Sequence, residues 1–208
     1  GYTTGLEASD EDKQNDPSVT KADAKKNTVN LAGGTVNANG KIAGGYIAKN
    51  PTLATPAAST GNASGNTINI TGGTFGGNTV IYGGYTEGTG EATGNTVNLG
   101  KADGTLSATG LTNVTLYGGG GTSASDRVTD NVLNVNAKAT AKNIQNFGKV
   151  MFNFNSTIHT GDTMLMLNDT AGTSLDWKKF DISGGGPDGE TTLMHNESGI
   201  ALTSYDHS

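Results

Sequence analysis

The sequence predicts an all-β fold: a right-handed parallel β-helix with about one three-stranded coil per repeat. Three observations predict it. The chain repeats itself at intervals of tens of residues, each copy alternates apolar and polar residues with period two, and paired glycines punctuate the copies.

The clearest copy is NTINITGGTFGGNTVIYGGY, residues 66–85. NTVNLAGGTV and IAGGY precede it, NTVNL and LYGGG follow it, and NVLNV begins a weaker fourth copy. The starts at Asn27, Asn66, Asn95 and Asn131 are 39, 29 and 36 residues apart. Repetition on this scale marks solenoids, propellers and arrays. A four-stranded propeller blade needs about 40 residues, more than the shortest copy has. No stretch carries a helical apolar stripe with caps, so helical repeats are excluded.

In NTINI, Ile68 and Ile70 face one way, Thr67 and Asn69 the other. The same alternation holds at Val29/Leu31, Val97/Leu99 and Leu133/Val135, and it is the pattern of a half-buried strand. Glycine pairs follow the first strand (Gly33-Gly34, Gly72-Gly73) and allow a sharp bend. A short second strand is expected at Thr35-Val36, Thr74-Phe75 and Thr105-Leu106. A third is expected to end in Gly-Gly-Tyr, with the side loops leaving from that corner. Stacked coils would pair equivalent strands in parallel about 4.8 Å apart. The right hand follows from the handedness of parallel crossovers.

Stacking makes rows. Asn30, Asn69, Asn98 and Asn134 are expected to form one outward structural ladder, and Thr28, Thr67 and Thr96 a second. Tyr2, Tyr46 and Tyr85 are expected to form an aromatic column.

The connections separate the copies. EASDEDKQNDPS, within residues 1–26, is acidic and polar, and reads as a solvated loop. Asp10, Glu11, Asp12 and Asp16 match no defined calcium loop. Residues 47–65, 86–94 and 121–130 are further loops, and stacking would gather them on one side of the rod, where repeat proteins often bind. After Asn131 the glycine punctuation is lost. Phe147, Val150, Phe152, Phe154, Met164, Met166, Leu193, Met194 and Trp177 make the end the most apolar part. The expected organisation is therefore repeat coils over 1–142 and a closing module of the same solenoid over 143–208, since terminal repeats are atypical.

Composition removes several functions. There is no cysteine, so disulfides, thiolate metal sites and cysteine catalysis are excluded. The formal charge is −6 and Arg127 is the sole arginine, which leaves no basic stripe for nucleic acid. No apolar run nears the roughly 18 residues of a membrane helix. His159, His195 and His207 lack metal-ligand spacing. Asp176, Asp181, Asp188 and Glu190 lie in glycine-rich connections rather than as the positioned pair that glycoside cleavage uses. The residues assign no catalytic, cofactor or metal site.

GNTVNL, GGTF and VIYGGY, followed by AKNIQNFGKVMFNF, GDTMLML and LMHNESGIALT, resemble the passenger region of autotransporters. These are type V secreted surface proteins of Gram-negative bacteria. The order of these motifs looks like the stretch just upstream of the outer-membrane barrel. The resemblance implies a β-helix exported through the outer membrane to the cell surface, with its C-terminal part acting as a folding nucleus. The function expected is non-enzymatic: adhesion, or display on a stalk. The candidate contact residues are Asp10, Glu11, Asp12, Thr52, Thr55, Glu87, Glu91 and Arg127, facing host or bacterial surface glycans or proteins. A monomer is expected, with no nucleic acid partner and no membrane insertion by these residues. The alternatives are a carbohydrate-active enzyme and a purely structural spacer.

Overall fold

The computed structural model describes residues 2–4, 23–48, 60–170, 179–196 and 201–207, the first and last of these as backbone alone. The expectations for Asp10, Glu11, Asp12, Asp16, Thr52, Thr55, Asp176 and Trp177 lie outside the described residues. The chain is all-β, with a short 3-10 turn at Leu111–Asn113 and no α-helix among the described residues.

The strands form three sheets. The first runs β1 (Tyr2–Thr4), β3 (Lys41–Ala48), β5 (Thr79–Thr86), β7 (Val114–Gly120) and β10 (Asn143–Gln145). The second runs β2 (Thr28–Val36), β4 (Thr67–Phe75), β6 (Thr96–Leu99), β8 (Val132–Val135), β11 (Lys149–Asn153) and β13 (Phe180–Ser183). The third runs β9 (Ala139–Ala141), β12 (Thr163–Leu167), β14 (Gly189–Asn196) and β15 (Ala201–His207). Every strand pair is parallel except β14 with β15. From β8 to β12 the chain visits the second, third, first, second and third sheets in turn.

Register follows the repeat. Val29, Ile68, Val97, Leu133, Val150 and Phe180 are successive partners across the second sheet, and so are Leu31, Ile70, Leu99, Val135, Phe152 and Ile182. A one-residue slip would turn both rows outward, so burial fixes the pairing. Ile68, Ile70, Val97, Leu99, Leu133, Val135 and Phe152 are fully buried. They belong to one apolar cluster that runs from Ile68 to Met194. At about 1.5–3 kcal/mol per fully buried large apolar side chain, these rows are the main favourable term.

Three local expectations need correction. Thr35-Val36 and Thr74-Phe75 are not separate strands, because β2 and β4 run on through their glycine pairs. The register slips there, and Gly73 takes φ 103°, a conformation that side chains resist. Thr105-Leu106 is not a strand. Lys101–Thr105 close a turn of their own, and Thr109 takes the place beside Thr74. The Gly-Gly-Tyr motif is not a corner. It lies within β3 and β5, and the connection after β5 leaves beyond Thr86.

The parallel stack continues past residue 142. β10 pairs with β7 and β11 with β8, and the apolar cluster spans this point. Of the apolar C-terminal residues, Met166 is only half-buried, whereas Met164, Leu165 and Leu167 are buried. Antiparallel β15 ends the third sheet, with two register shifts against β14.

Candidate functional site

Each glycine pair of the first sheet faces an asparagine. Asn66, Asn95 and Asn131, each the first residue of its repeat, are fully buried. Asn95 Nδ2 donates to Asn131 Oδ1 (3.1 Å) and Ala63 O (3.1 Å). Asn95 Oδ1 accepts from the backbone N–H (3.0 Å) and Nδ2 (3.0 Å) of Asn66. Asn66 Oδ1 accepts in the same way from Asn27. The glycine pair admits these amides. A Cβ on Gly83 would stand 2.6 Å from Asn95 Cβ, and one on Gly84 would stand 2.8 Å from Asn95 Nδ2.

Tyrosines flank the same glycines. Tyr82 and Tyr85 meet edge to face at 4.8 Å between ring centroids. Tyr82 stacks on Tyr117 at 4.7 Å, and Tyr46 stacks on Tyr85 at 5.5 Å with planes 5° apart. Parallel register produces both columns, since Tyr82 pairs with Tyr117 and Tyr46 with Tyr85. Backbone register also sets Tyr2 beside Tyr46. The Lys41 ammonium lies 3.3 Å from the Tyr85 ring centroid, a cation–π contact.

The Tyr46–Tyr85 column stops at Gly120, the partner of Tyr85 in β7. An open cleft of about 230 Å³ lies there, lined by Tyr82, Tyr85, Tyr117, Gly120, Arg127 and Gln145 among others. A Cβ on Gly120 would come within 2.4 Å of the Tyr82 ring, so the cleft and its ring positions require glycine there.

Arg127 is held at this cleft. Its Nη1 donates to Gly121 O at 3.0 Å, and its own carbonyl accepts from Asn131 Nδ2 at 2.8 Å. The preceding Asp126 carboxylate accepts from the backbone N–H groups of Val128 and Thr129. Hydrogen bonds from the Thr129 side chain and then from those amides hold the Asp126 carboxyl below its usual range. Glu87 lies on the neighbouring column, where its carboxylate accepts from the Tyr46 hydroxyl. The structure thus brings Glu87 and Arg127 to one tyrosine cluster. Glu91 does not line the cleft. Its backbone N–H takes Asn62 Oδ1 at 2.9 Å.

The outward asparagines stand in line. Asn69 Nδ2 donates to Asn30 Oδ1, Asn98 to Asn69 and Asn134 to Asn98, each at 2.7 Å. The row ends where Met151 pairs with Asn134. Thr28, Thr67 and Thr96 are register partners, and Val132 follows them. An open trough of about 510 Å³ runs along Asn30, Asn69, Asn98 and Asn136 beside Lys101. Among the described residues no group of three or more His, Asp or Glu is placed to hold a metal ion. Asp181 pairs with Lys149 at 2.7 Å and His159 lies 3.6 Å from Asp162.

Sequence reasoning found the column Tyr46–Tyr85 and missed Tyr82, Tyr117 and Lys41. The signal was present: Tyr82 and Tyr117 both stand immediately before a glycine pair, in VIYGG and TLYGG.

The Tyr82 phenol gives this cluster a spectroscopic signature. Burial, followed by the nearby Tyr117 and Tyr85 phenols, pushes its pKa up to about 12. The folded value lies above the unfolded one. The stabilising contribution is therefore complete below pH about 10 and is lost as pH rises towards about 12. An ultraviolet phenolate titration is expected to show a late-ionising tyrosine that disappears in Tyr82→Phe.

No family model, curated protein or solved structure matches this chain.

Proposed function

We propose that this chain is part of a cell-surface rod: a right-handed parallel β-helix of the autotransporter-passenger kind, acting without catalysis in adhesion or display. The parallel register at the repeat spacing and the cyclic order of sheets support a coiled path. The right hand rests on the general rule for parallel crossovers. Export through the outer membrane of a Gram-negative bacterium, a surface location and a monomeric state belong to the same reading and rest on the motif order.

The observation that carries the contact function is the convergence of connecting segments on an aromatic cleft. Glu87 N–H bonds Ile47 O, Ser125 N–H bonds Gly90 O and Ala92 N–H bonds Asp126 O. The loop bases are thereby stitched together from repeat to repeat beside Tyr82, Tyr85 and Tyr117. Rigidly held aromatics offer large contact area at low entropic cost. The enzymatic alternative needs two positioned carboxylates, and among the described residues no carboxylate lines this cleft.

The test is adhesion of beads carrying the purified chain to epithelial or bacterial cells. Saturable adhesion, competed by soluble chain, is expected. Replacing residues 7–16, 51–59 and 122–125 with Gly/Ser is expected to lower it to the level of bare beads without moving the urea midpoint. No adhesion by the unaltered chain would leave the spacer alternative, and unchanged adhesion after replacement would remove these three segments, though not residues 86–94, from the contact.

A further inference from the structure

We propose that the tyrosine cleft is a saccharide subsite for one pyranose ring that bears a carboxylate, a uronate or a sialate. The inference rests on the adhesion reading for its biological setting, though its chemistry stands on the cleft alone.

Size sets the first limit. Sites for drug-sized molecules occupy about 300–1,000 Å³. At about 230 Å³ this open cleft suits a single ring projecting from a longer chain.

Surface chemistry sets the second. The axial C–H bonds of a pyranose form a weakly positive apolar face, and a tyrosine ring presents a negative π face. Tyr82 and Tyr117 hold each other parallel at 4.7 Å, and Tyr85 closes on Tyr82 at 65°. The three half-buried phenols make an angled wall that a flat sugar face can meet, and their hydroxyls can bond its equatorial hydroxyls. The Tyr46–Tyr85 column ends at a glycine, so the cleft opens where a further ring of that column would stand.

Charge sets the third. The chain carries a formal charge of −6 and one arginine. That arginine lines the cleft, and Lys41 lies over Tyr85 on its other flank. Among the described residues the Arg127 guanidinium is bonded through Nη1 alone, to Gly121 O. The remaining fork can meet a carboxylate with two parallel N–H···O bonds. The backbone bonds from Asn131 and the Asp126 turn hold this residue in place before any ligand arrives. Among the described residues no carboxylate lines the cleft to repel the ligand, and Glu87 is turned to the Tyr46 hydroxyl. A neutral sugar would gain the stacking and the hydroxyl bonds; an acidic one gains the arginine fork as well.

The experiment is titration of the whole chain with tri-galacturonate, sialyllactose and lactose, read by saturation-transfer difference NMR and calorimetry. At least one acidic ligand is expected to bind about tenfold or more tightly than lactose. Galacturonate alone would identify a uronate site, and sialyllactose alone a sialate site. Arg127→Gln, at an exposed position, is expected to erase that preference. Tyr117→Ala is expected to abolish binding, and Tyr117→Phe to restore it at least in part, which separates loss of the ring face from loss of folding. Absence of binding by the unaltered chain, or equal affinities for it and Arg127→Gln, would overturn the proposal. Cell adhesion that survives both Arg127→Gln and Tyr117→Ala would overturn the subsite's part in adhesion and leave the adhesion reading standing. Saccharide binding without cell adhesion would do the reverse.

Discussion

Asn95→Ala is expected to destabilise the chain by about 3–9 kcal/mol, against less than about 1 kcal/mol for Asn98→Ala three residues away. Asn98 lies in β6 and Asn95 immediately precedes that strand; the two share a chemistry but face opposite ways. Asn95 is fully buried, and its amide closes four hydrogen bonds. Truncation would strand the Asn66 backbone N–H, one hydrogen of the Asn66 amide and the Ala63 carbonyl, all among buried residues. Each orphan costs about 1–3 kcal/mol. The sum is a large share of the stability of an ordinary domain, about 5–15 kcal/mol. Asn98 is half-exposed, and its ladder partners Asn69 and Asn134 can turn to water, so losing it is worth no more than a cross-strand pair. Asn95→Asp is expected to be at least as damaging as Asn95→Ala, because it removes the donor to Ala63 and buries a charge. Urea midpoints for the three variants decide the matter. Equal shifts for Asn95→Ala and Asn98→Ala would show that the buried row carries no special weight.

This contrast marks how far the sequence could be read. Period two in NTINI predicted that Ile68 and Ile70 point inward and Asn69 outward, and the second sheet is built that way. The same parity puts Asn66 inward, two residues before Ile68. A polar residue at an inward position in every copy is a conflict between local pattern and burial, and such conflicts mark special sites. The buried amide row was therefore legible, but the general rule that polar residues lie outside points to the exposed asparagines instead. The glycine pairs were read as bends. That holds for Gly34 and Gly73, whose φ values are positive. It fails for Gly83 and Gly84, which serve close approach inside a strand. The second tyrosine column was legible too, since Tyr82 and Tyr117 both precede a glycine pair. The spacing from the repeat start obscured it, because the connection holding the turn Lys101–Thr105 lengthens that repeat. The contact residues were partly legible. Glu87 and Arg127 come to the tyrosine cluster because their loops start from aligned strands, whereas Glu91 sits on the stitched base between repeats.

Gly84→Ala is expected to disrupt the first sheet at about 2–4 kcal/mol, although it adds one methyl group and asks for no unusual φ. The added carbon would stand 2.2 Å from Ala63 O, 2.8 Å from Asn95 Nδ2 and 3.0 Å from Asn95 Oδ1. The nearest atom is backbone, on a segment that is itself bonded to the next repeat through Ala63 N–H and Glu91 O. It cannot swing aside as a side chain would. Overpacking of this kind costs about 1–3 kcal/mol. Any shift that relieves it also stretches the Asn95 bond to Ala63 O, which adds about 0.5–1.5 kcal/mol. Gly33→Ala supplies the control. It also alters a paired glycine within a strand, yet its Cβ would meet nothing within 4 Å. Its φ is not in the left-handed region, so it is expected to be neutral or mildly stabilising. Because Gly84 lies beside Tyr85 and two residues after Tyr82, movement of this strand should also disturb the tyrosine cluster. The late phenol near pH 12 is therefore expected to return toward the ordinary tyrosine range in Gly84→Ala and to stay in Gly33→Ala. A destabilised Gly84→Ala that keeps the late titration would mean that the sheet gives way on its inner side only and that the tyrosine cleft is held independently of the buried amides. Loss of both together would tie the cleft directly to the glycine–asparagine contact inside it.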